Sequence, residues 1–247
     1  MSDGGDPDPF AHHPVLRDRI LDPSKSFFRT FRPADLDERM AALGRARDWR
    51  FPDEAIEASR HAALAGRRDR DLWVFAYGSL MWDPAFRFAE VRRARVAGYA
   101  RRFCLEDTFG GRGTPEMPGL QAALDIGDGC DGLAFRIATS EIEEETGYIW
   151  RRELLAPCYI PVFLGAATAG GTVDALAMVA DHAAPPIRTD LTRAEQVRYL
   201  ATGVGMLGTS LQYIENLAGH FAALGIEDPE VTSLLAEARA YAAALPG

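Results

Sequence analysis

The chain has 247 residues, 47% of them hydrophobic and 26% charged, and a formal net charge of −9. That mixture suits one globular domain with an appendage and is large enough to bury a full core. The negative balance repels phosphate and argues against nucleic acid and anionic membrane surfaces as partners; no apolar run reaches the roughly 18 residues of a membrane-spanning helix.

The chain opens on Met-Ser-Asp-Gly-Gly-Asp-Pro-Asp-Pro, acidic and helix-breaking, which is neither a signal peptide nor a transit sequence. Residues 1–32 read as a mobile leader. His12 and His13 are adjacent, so one helix face cannot offer both to a metal. Two short helices are expected between 33 and 70. One carries Leu36, Met40 and Leu43 at helical spacing and the other spans 53–65, both packing on the rest of the chain or on a second subunit. From Leu72 the pattern changes to short apolar runs at 74–77, 96–105, 120–126 and 133–137, with Gly127-Asp-Gly-Cys-Asp-Gly132 as a hairpin turn. Ser140 and Glu143 form a capping-box signature that starts a helix over 141–155. Strands at 159–164 and 173–179 then make a second hairpin about Gly170-Gly171. The last third is helical, opening with the capping box Thr192 to Glu195 and ending with Val231, Leu234, Leu235, Ala238 and Tyr241 on one face. Clustered strands and late helices indicate an α+β fold rather than a doubly wound sheet.

Two segments carry chemistry. Trp73-Val-Phe-Ala-Tyr-Gly-Ser-Leu80 is an apolar strand that breaks at Gly78, a residue permitting backbone angles that a Cβ disfavours. Successive N–H groups there would hold an anion or a developing oxyanion, unless the turn is an ordinary strand end. In the helix that follows Ser140, residues Ile142, Thr146, Ile149, Trp150 and Glu153 share one stripe, while Glu141, Glu144 and Arg151 read as a solvated face. Glu153 therefore occupies a core position. Desolvation disfavours its charged form and raises its pKa toward a value useful for accepting a proton, the alternative being a structural carboxylate paired with Arg151 or Arg152.

Cys104, Cys130 and Cys158 are odd in number and lack zinc spacing; they read as reduced thiols of a cytoplasmic protein, packed as small hydrophobes. Gly110-Gly-Arg-Gly-Thr114 lacks the Gly-Lys-Ser/Thr ending of a phosphate loop. It reads as a mobile loop at a cavity rim, with Arg112 either free to pair with a substrate carboxylate or simply exposed.

The ordered blocks Tyr77-Gly78-Ser79-Leu80-Met81-Trp82 with Pro84, Gly98-Tyr99, Arg102-Phe103, Arg112-Gly113-Thr114-Pro115, Pro118-Gly119, Trp150-Arg151-Arg152-Glu153-Leu154 with Tyr159, Gly208-Thr209, Gln212-Tyr213 and Leu224-Gly225 resemble the ChaC group of γ-glutamylcyclotransferases. Those enzymes split glutathione into 5-oxoproline and cysteinylglycine. The resemblance implies a small mixed β-barrel with surrounding helices over 71–247, preceded by a leader and helical extension over 1–70. It implies no cofactor, and one glutamate as base, which only Glu153 matches; no metal is expected, because the reaction needs none and the sequence offers no site for one. The turn Tyr77-Gly78-Ser79-Leu80 would hold the γ-glutamyl moiety. Met81, Arg112, Tyr159 and Tyr213 are further candidate substrate-binding residues, core aromatics being the alternative for Tyr77, Tyr159 and Tyr213. Ala76 stands where the family often has glycine. Leu154-Leu155-Ala156 replaces the Lys-Gly-Gly of the eukaryotic branch, as in the bacterial branch. Other γ-glutamyl peptides or amines as donors, and a non-catalytic γ-glutamyl-binding module, remain alternatives.

Overall fold

The computed structural model of the protein describes residues 8–42, 44 and 49–245. The first seven residues of the expected leader, and Leu43 of the first expected helical stripe, lie outside the described residues.

From Asp8 onward the expected mobile leader is laid against the rest of the molecule, a correction with a plain physical cause. Leu16 and Ile20 are buried in the main core, and the backbone of Val91 donates to the carbonyl of Pro9 at 3.0 Å. Two turns of 3₁₀ helix, Pro14–Leu16 and Pro23–Lys25, lead into the short helix α1 (Phe27–Thr30), whose first turn is capped by the Ser26 hydroxyl. Helices α2 (Pro33–Ala42) and α3 (Asp53–Ala63) follow.

Strands β1 (Leu72–Ala76), β2 (Glu90–Val96), β3 (Tyr99–Asp107), β4 (Gly119–Ile126) and β5 (Cys130–Ile137) precede helix α4 (Ile142–Glu153). Strands β6 (Tyr159–Thr168) and β7 (Gly171–Ala180) form the second hairpin. The order β1-β5-β2-β6-β7 closes on itself because β1 also pairs parallel with β7, and β4 and β3 extend the sheet beyond β7. A five-stranded ring has a narrow interior. Accordingly Ala94, Ala134, Ala166, Ala175 and Ala177 surround Phe75 in one cluster to which all five ring strands contribute. The opposite face of β1, with Leu72, Val74 and Ala76, belongs to the larger core under the helices. The end of the chain comprises α5 (Arg193–Thr202), the two-residue strands β8 (Val204–Gly205) and β9 (Gly208–Thr209), α6 (Ser210–Leu224) and α7 (Pro229–Ala243).

Two expectations are corrected. The run 96–105 is two strands, because Gly98 takes a positive φ of 76° and turns the chain, and β2 is masked in sequence by the charges of Glu90, Arg92, Arg93 and Arg95. The Ser140/Glu143 capping box does not form. A 3₁₀ turn, Thr139–Glu141, precedes α4, and the Glu143 carboxylate is taken by Arg60 of α3. The Thr192/Glu195 box is present at α5.

Candidate active site

β1 ends at Ala76, and a single 3₁₀ turn, Ser79–Met81, follows. Gly78 adopts φ −130°, so its φ is not what requires glycine there. The requirement is steric: a Cβ would lie 2.7 Å from the hydroxyl of Tyr213, whose side chain is buried in the core. That hydroxyl accepts a hydrogen bond from the backbone of Ala122 at 3.2 Å. On the other side, the buried Arg101 donates through Nε to the Tyr77 carbonyl at 2.7 Å, and the Tyr77 hydroxyl donates to the Met178 carbonyl at 2.7 Å. Clamped in this way, the turn keeps the N–H groups of Gly78, Ser79 and Leu80 without hydrogen-bond partners among the described residues. All three residues line a cavity of about 290 Å³, at the lower end of the range for small-molecule sites. Met81, expected to bind substrate, does not line it; its side chain is fully buried in the core.

Glu153, the last residue of α4, lines the same cavity with its side chain 14% exposed. The rest of its stripe, Ile142, Thr146, Ile149 and Trp150, is buried as expected. Its single ion pair among the described residues is with its neighbour, Arg152 Nε to Glu153 Oε1 at 2.9 Å. The other guanidinium nitrogens are engaged elsewhere, Nη2 with the Ser79 hydroxyl at 2.7 Å and Nη1 with the Asp83 carbonyl. Burial raises the Glu153 pKa; Arg152 opposes the rise and the negative charge of Asp83 adds to it. Asp83 also lines the cavity. Its Oδ1 is the one buried side-chain polar atom without a hydrogen-bond partner among the described residues, and Arg152 Nη1 is 3.9 Å away. Arg152, Asp83 and Arg101 escaped the site assignment from sequence. The signal available was Arg152's place beside Glu153; nothing local marks the other two.

The expectation of a mobile rim loop around Arg112 is corrected. Asp107 accepts from the backbones of Phe109 and Arg112 and from the Gln121 amide, while Met206 and Leu207 donate to the carbonyls of Gly110 and Gly111 at 2.8 Å. Gly113 has no room for a Cβ against Gly119. Arg112 is therefore buried, donating to the Thr209 carbonyl at 3.0 Å, with no ion pair among the described residues. Tyr159 and Tyr213 line the cavity with Tyr77. Burial raises all three phenols, Tyr213 to about 12, and pushes the Cys158 thiol to about 12 as well, so these groups are neutral near pH 7.

His12 pairs with Glu90, and His13 accepts from the backbone of Arg93. The one grouping with metal-ligand proximity among the described residues, Glu57, His61 and Glu143, is exposed and outside the cavity, and both of its carboxylates already bind Arg60.

The closed five-stranded barrel with helices around it is a fold that this chain shares with γ-glutamylcyclotransferases. A crystal structure of a yeast γ-glutamylcyclotransferase specific to glutathione superposes on this chain with a TM-score of 0.63 at 20% identity, covering 70% of this chain and 97% of the yeast one. The chain belongs to the ChaC-like protein family, whose model matches residues 72–241. The glutathione-specific γ-glutamylcyclotransferase of Escherichia coli K12 is 36% identical over 205 residues, covering 82% of this chain and 87% of that relative. The zebrafish (Danio rerio) glutathione-specific γ-glutamylcyclotransferase 1 is 31% identical over 66% of this chain and 86% of its own length. No helix among the described residues is long and apolar enough to cross a membrane.

Proposed function

We propose that the protein degrades glutathione as a γ-glutamylcyclotransferase, releasing 5-oxoproline and cysteinylglycine. A γ-glutamyl compound carries its own nucleophile. Its α-amine gives a proton to Glu153 and attacks the γ-carbonyl, closing a five-membered lactam; the tetrahedral oxyanion then collapses, and Glu153 returns the proton to the departing amine of cysteinylglycine. The N–H groups of Gly78, Ser79 and Leu80 stabilise the oxyanion or hold the α-carboxylate. Arg112, a buried cation without a carboxylate partner among the described residues, receives a substrate carboxylate. Tyr77, Tyr159 and Tyr213 shape the wall.

The observation that carries this reading is the incompletely compensated Glu153 carboxylate in the cavity that the 77–80 turn also lines. The glutathione-specific relatives support glutathione as donor. Three free, buried cysteines support a reducing, cytoplasmic setting. Residues 71–247 carry the base, the turn and Arg112, and the acidic chain has no nucleic-acid partner.

The test is incubation of the purified protein with glutathione and direct detection of 5-oxoproline. Turnover is expected without added metal and unchanged by chelator, because the substrate supplies the nucleophile and only a base is needed. No 5-oxoproline from glutathione rejects the reading. Faster turnover of γ-glutamyl-lysine than of glutathione moves the donor to another γ-glutamyl compound.

A further inference from the structure

The cavity is not built by the family-matched segment alone. Phe27, Phe28, Phe31, Leu36 and Trp49, all preceding residue 72, line it. Phe28 is the one whose contact reaches the chemistry: the Arg152 guanidinium carbon lies 4.1 Å from the centroid of its ring. The same guanidinium pairs with Glu153 and donates to the Ser79 hydroxyl. Arg152 therefore joins the base to the turn, and the Phe28 ring packs against the same guanidinium. The ring is itself held in place. Arg29, the next residue, makes a two-pronged ion pair with the fully buried Glu145 of α4, at 2.7 and 3.2 Å, and donates to the Ala85 carbonyl at 3.1 Å. The helix that carries Glu153 thus also anchors the segment that lays Phe28 over Arg152.

We infer that Phe28 is a positioning residue for the cyclotransferase reaction, fixing the plane of Arg152 so that one guanidinium orients both Glu153 and the Ser79 turn. An arginine stacked on an aromatic ring keeps a preferred plane, whereas an aliphatic neighbour of similar bulk fills the space without imposing one. Because this rests on the proposed cyclotransferase activity, the parent protein is assayed first with glutathione; absence of 5-oxoproline there rejects that activity, whatever Phe28 does.

Around Glu153 stand Arg152 from its own helix, Asp83 after the 3₁₀ turn, and Tyr77, Cys158, Tyr159 and Tyr213 from the facing elements. The phenols and the thiol are neutral near pH 7; Glu106, Asp107 and Arg112 also line the cavity, and of the charged groups Arg152 and Asp83 are the ones that bear on where Glu153 titrates. Phe28→Leu keeps the cavity apolar but frees the guanidinium, so the pairing that favours ionised Glu153 weakens.

The expected result is turnover lower by about tenfold, KM for glutathione within about twofold of the parent, and the acid limb of the pH–rate profile displaced to higher pH. Phe28→Tyr, which keeps the ring, is expected to behave as the parent does. A folded Phe28→Leu protein with parental turnover, or with reduced turnover and an unmoved acid limb, overturns the inference, the second result meaning that Phe28 only fills space. Should Phe28→Leu fail to fold, Phe28→Met carries the same test.

Discussion

Two carboxylates on α4, Glu145 and Glu153, stand about two turns apart, and both have left bulk water. Their surroundings divide them. Glu145 is fully buried and enclosed by cations: Arg29 grips both oxygens, Arg87 pairs with Oε1 at 2.8 Å, and the Arg87 backbone donates to Oε2 at 2.7 Å. Among the described residues Glu153 has one partner, its own neighbour, whose remaining donors are drawn off to Ser79 and the Asp83 carbonyl. Burial by itself does not make a base. A carboxylate whose charge is fully matched holds segments together, while one left partly unmatched keeps a raised pKa and a free oxygen with which to take a proton.

The strongest way to break this contrast is to remove the acid function from each glutamate in turn. Glu153→Gln keeps shape and much of the hydrogen bonding; turnover of glutathione is expected to fall by about a hundredfold or more, the range for loss of a positioned general base, with glutathione affinity within about threefold of the parent by calorimetry. Normal turnover in a folded Glu153→Gln protein would mean that the two carboxylates are both structural.

The mirror experiment is Glu145→Gln, which leaves Arg29 and Arg87 facing a neutral amide. Stability is expected to drop by about 3 kcal/mol, the cost of breaking a buried ion pair, as read by urea unfolding, while turnover per folded molecule falls by no more than the roughly tenfold expected for loosening Phe28 over Arg152. A variant that melts as the parent does but has lost turnover would reverse the assignment of roles.

Gly78→Ala sharpens the contrast from the turn that lines the same cavity. The new Cβ meets the Tyr213 hydroxyl at 2.7 Å within a packed core, and overpacking of that kind costs roughly 1–3 kcal/mol. If the turn works with Glu153, kcat/KM is expected to fall by about tenfold as the turn shifts, with a smaller loss of stability than in Glu145→Gln. Unchanged kinetics would reduce 77–80 to a strand end.

The smallest effect concerns pH. Burial raises the Glu153 pKa in the folded chain, so between its ordinary value and the raised one the folded state holds a proton that the unfolded state has lost. That contribution to stability is complete at low pH and disappears as pH rises through the raised value. Glu153→Gln has nothing to titrate there. Its melting temperature relative to the parent is expected to climb by about 2–4 °C from acid to neutral pH; a difference independent of pH would show that Glu153 ionises freely in the fold.

Much of this was legible in the chain. The stripe that singled out Glu153 rests on local periodicity, and periodicity survives into the structure because a helix packing on a core has to bury one face. The turn after β1 was marked by glycine, although for a different reason: the constraint comes from Tyr213, far away in sequence, which no local pattern reports. The same stripe passed over Glu145, since an acidic run at a helix start resembles a solvated face until Arg29 and Arg87 arrive to bury it. Phe27, Phe28 and Phe31 showed no chemical pattern because their role depends entirely on where α1 docks. Arg112 was found on the right loop but in the wrong state, because the hydrogen bonds that pin it come from Asp107 and from the connection between β8 and β9.

Closure of the barrel has a kinetic consequence. Trp73 pairs with Arg136 on one side and Ala175 on the other, so β1 cannot be secured until strands from two distant parts of the chain have assembled. Contacts of such long sequence separation pay their loop-closure entropy late and slow the search. The turn at 77–80 hangs from the last residues of that strand. Recovery of turnover during refolding should therefore trail the return of helical circular dichroism, making the enzyme's own activity a reporter on the final step of its assembly.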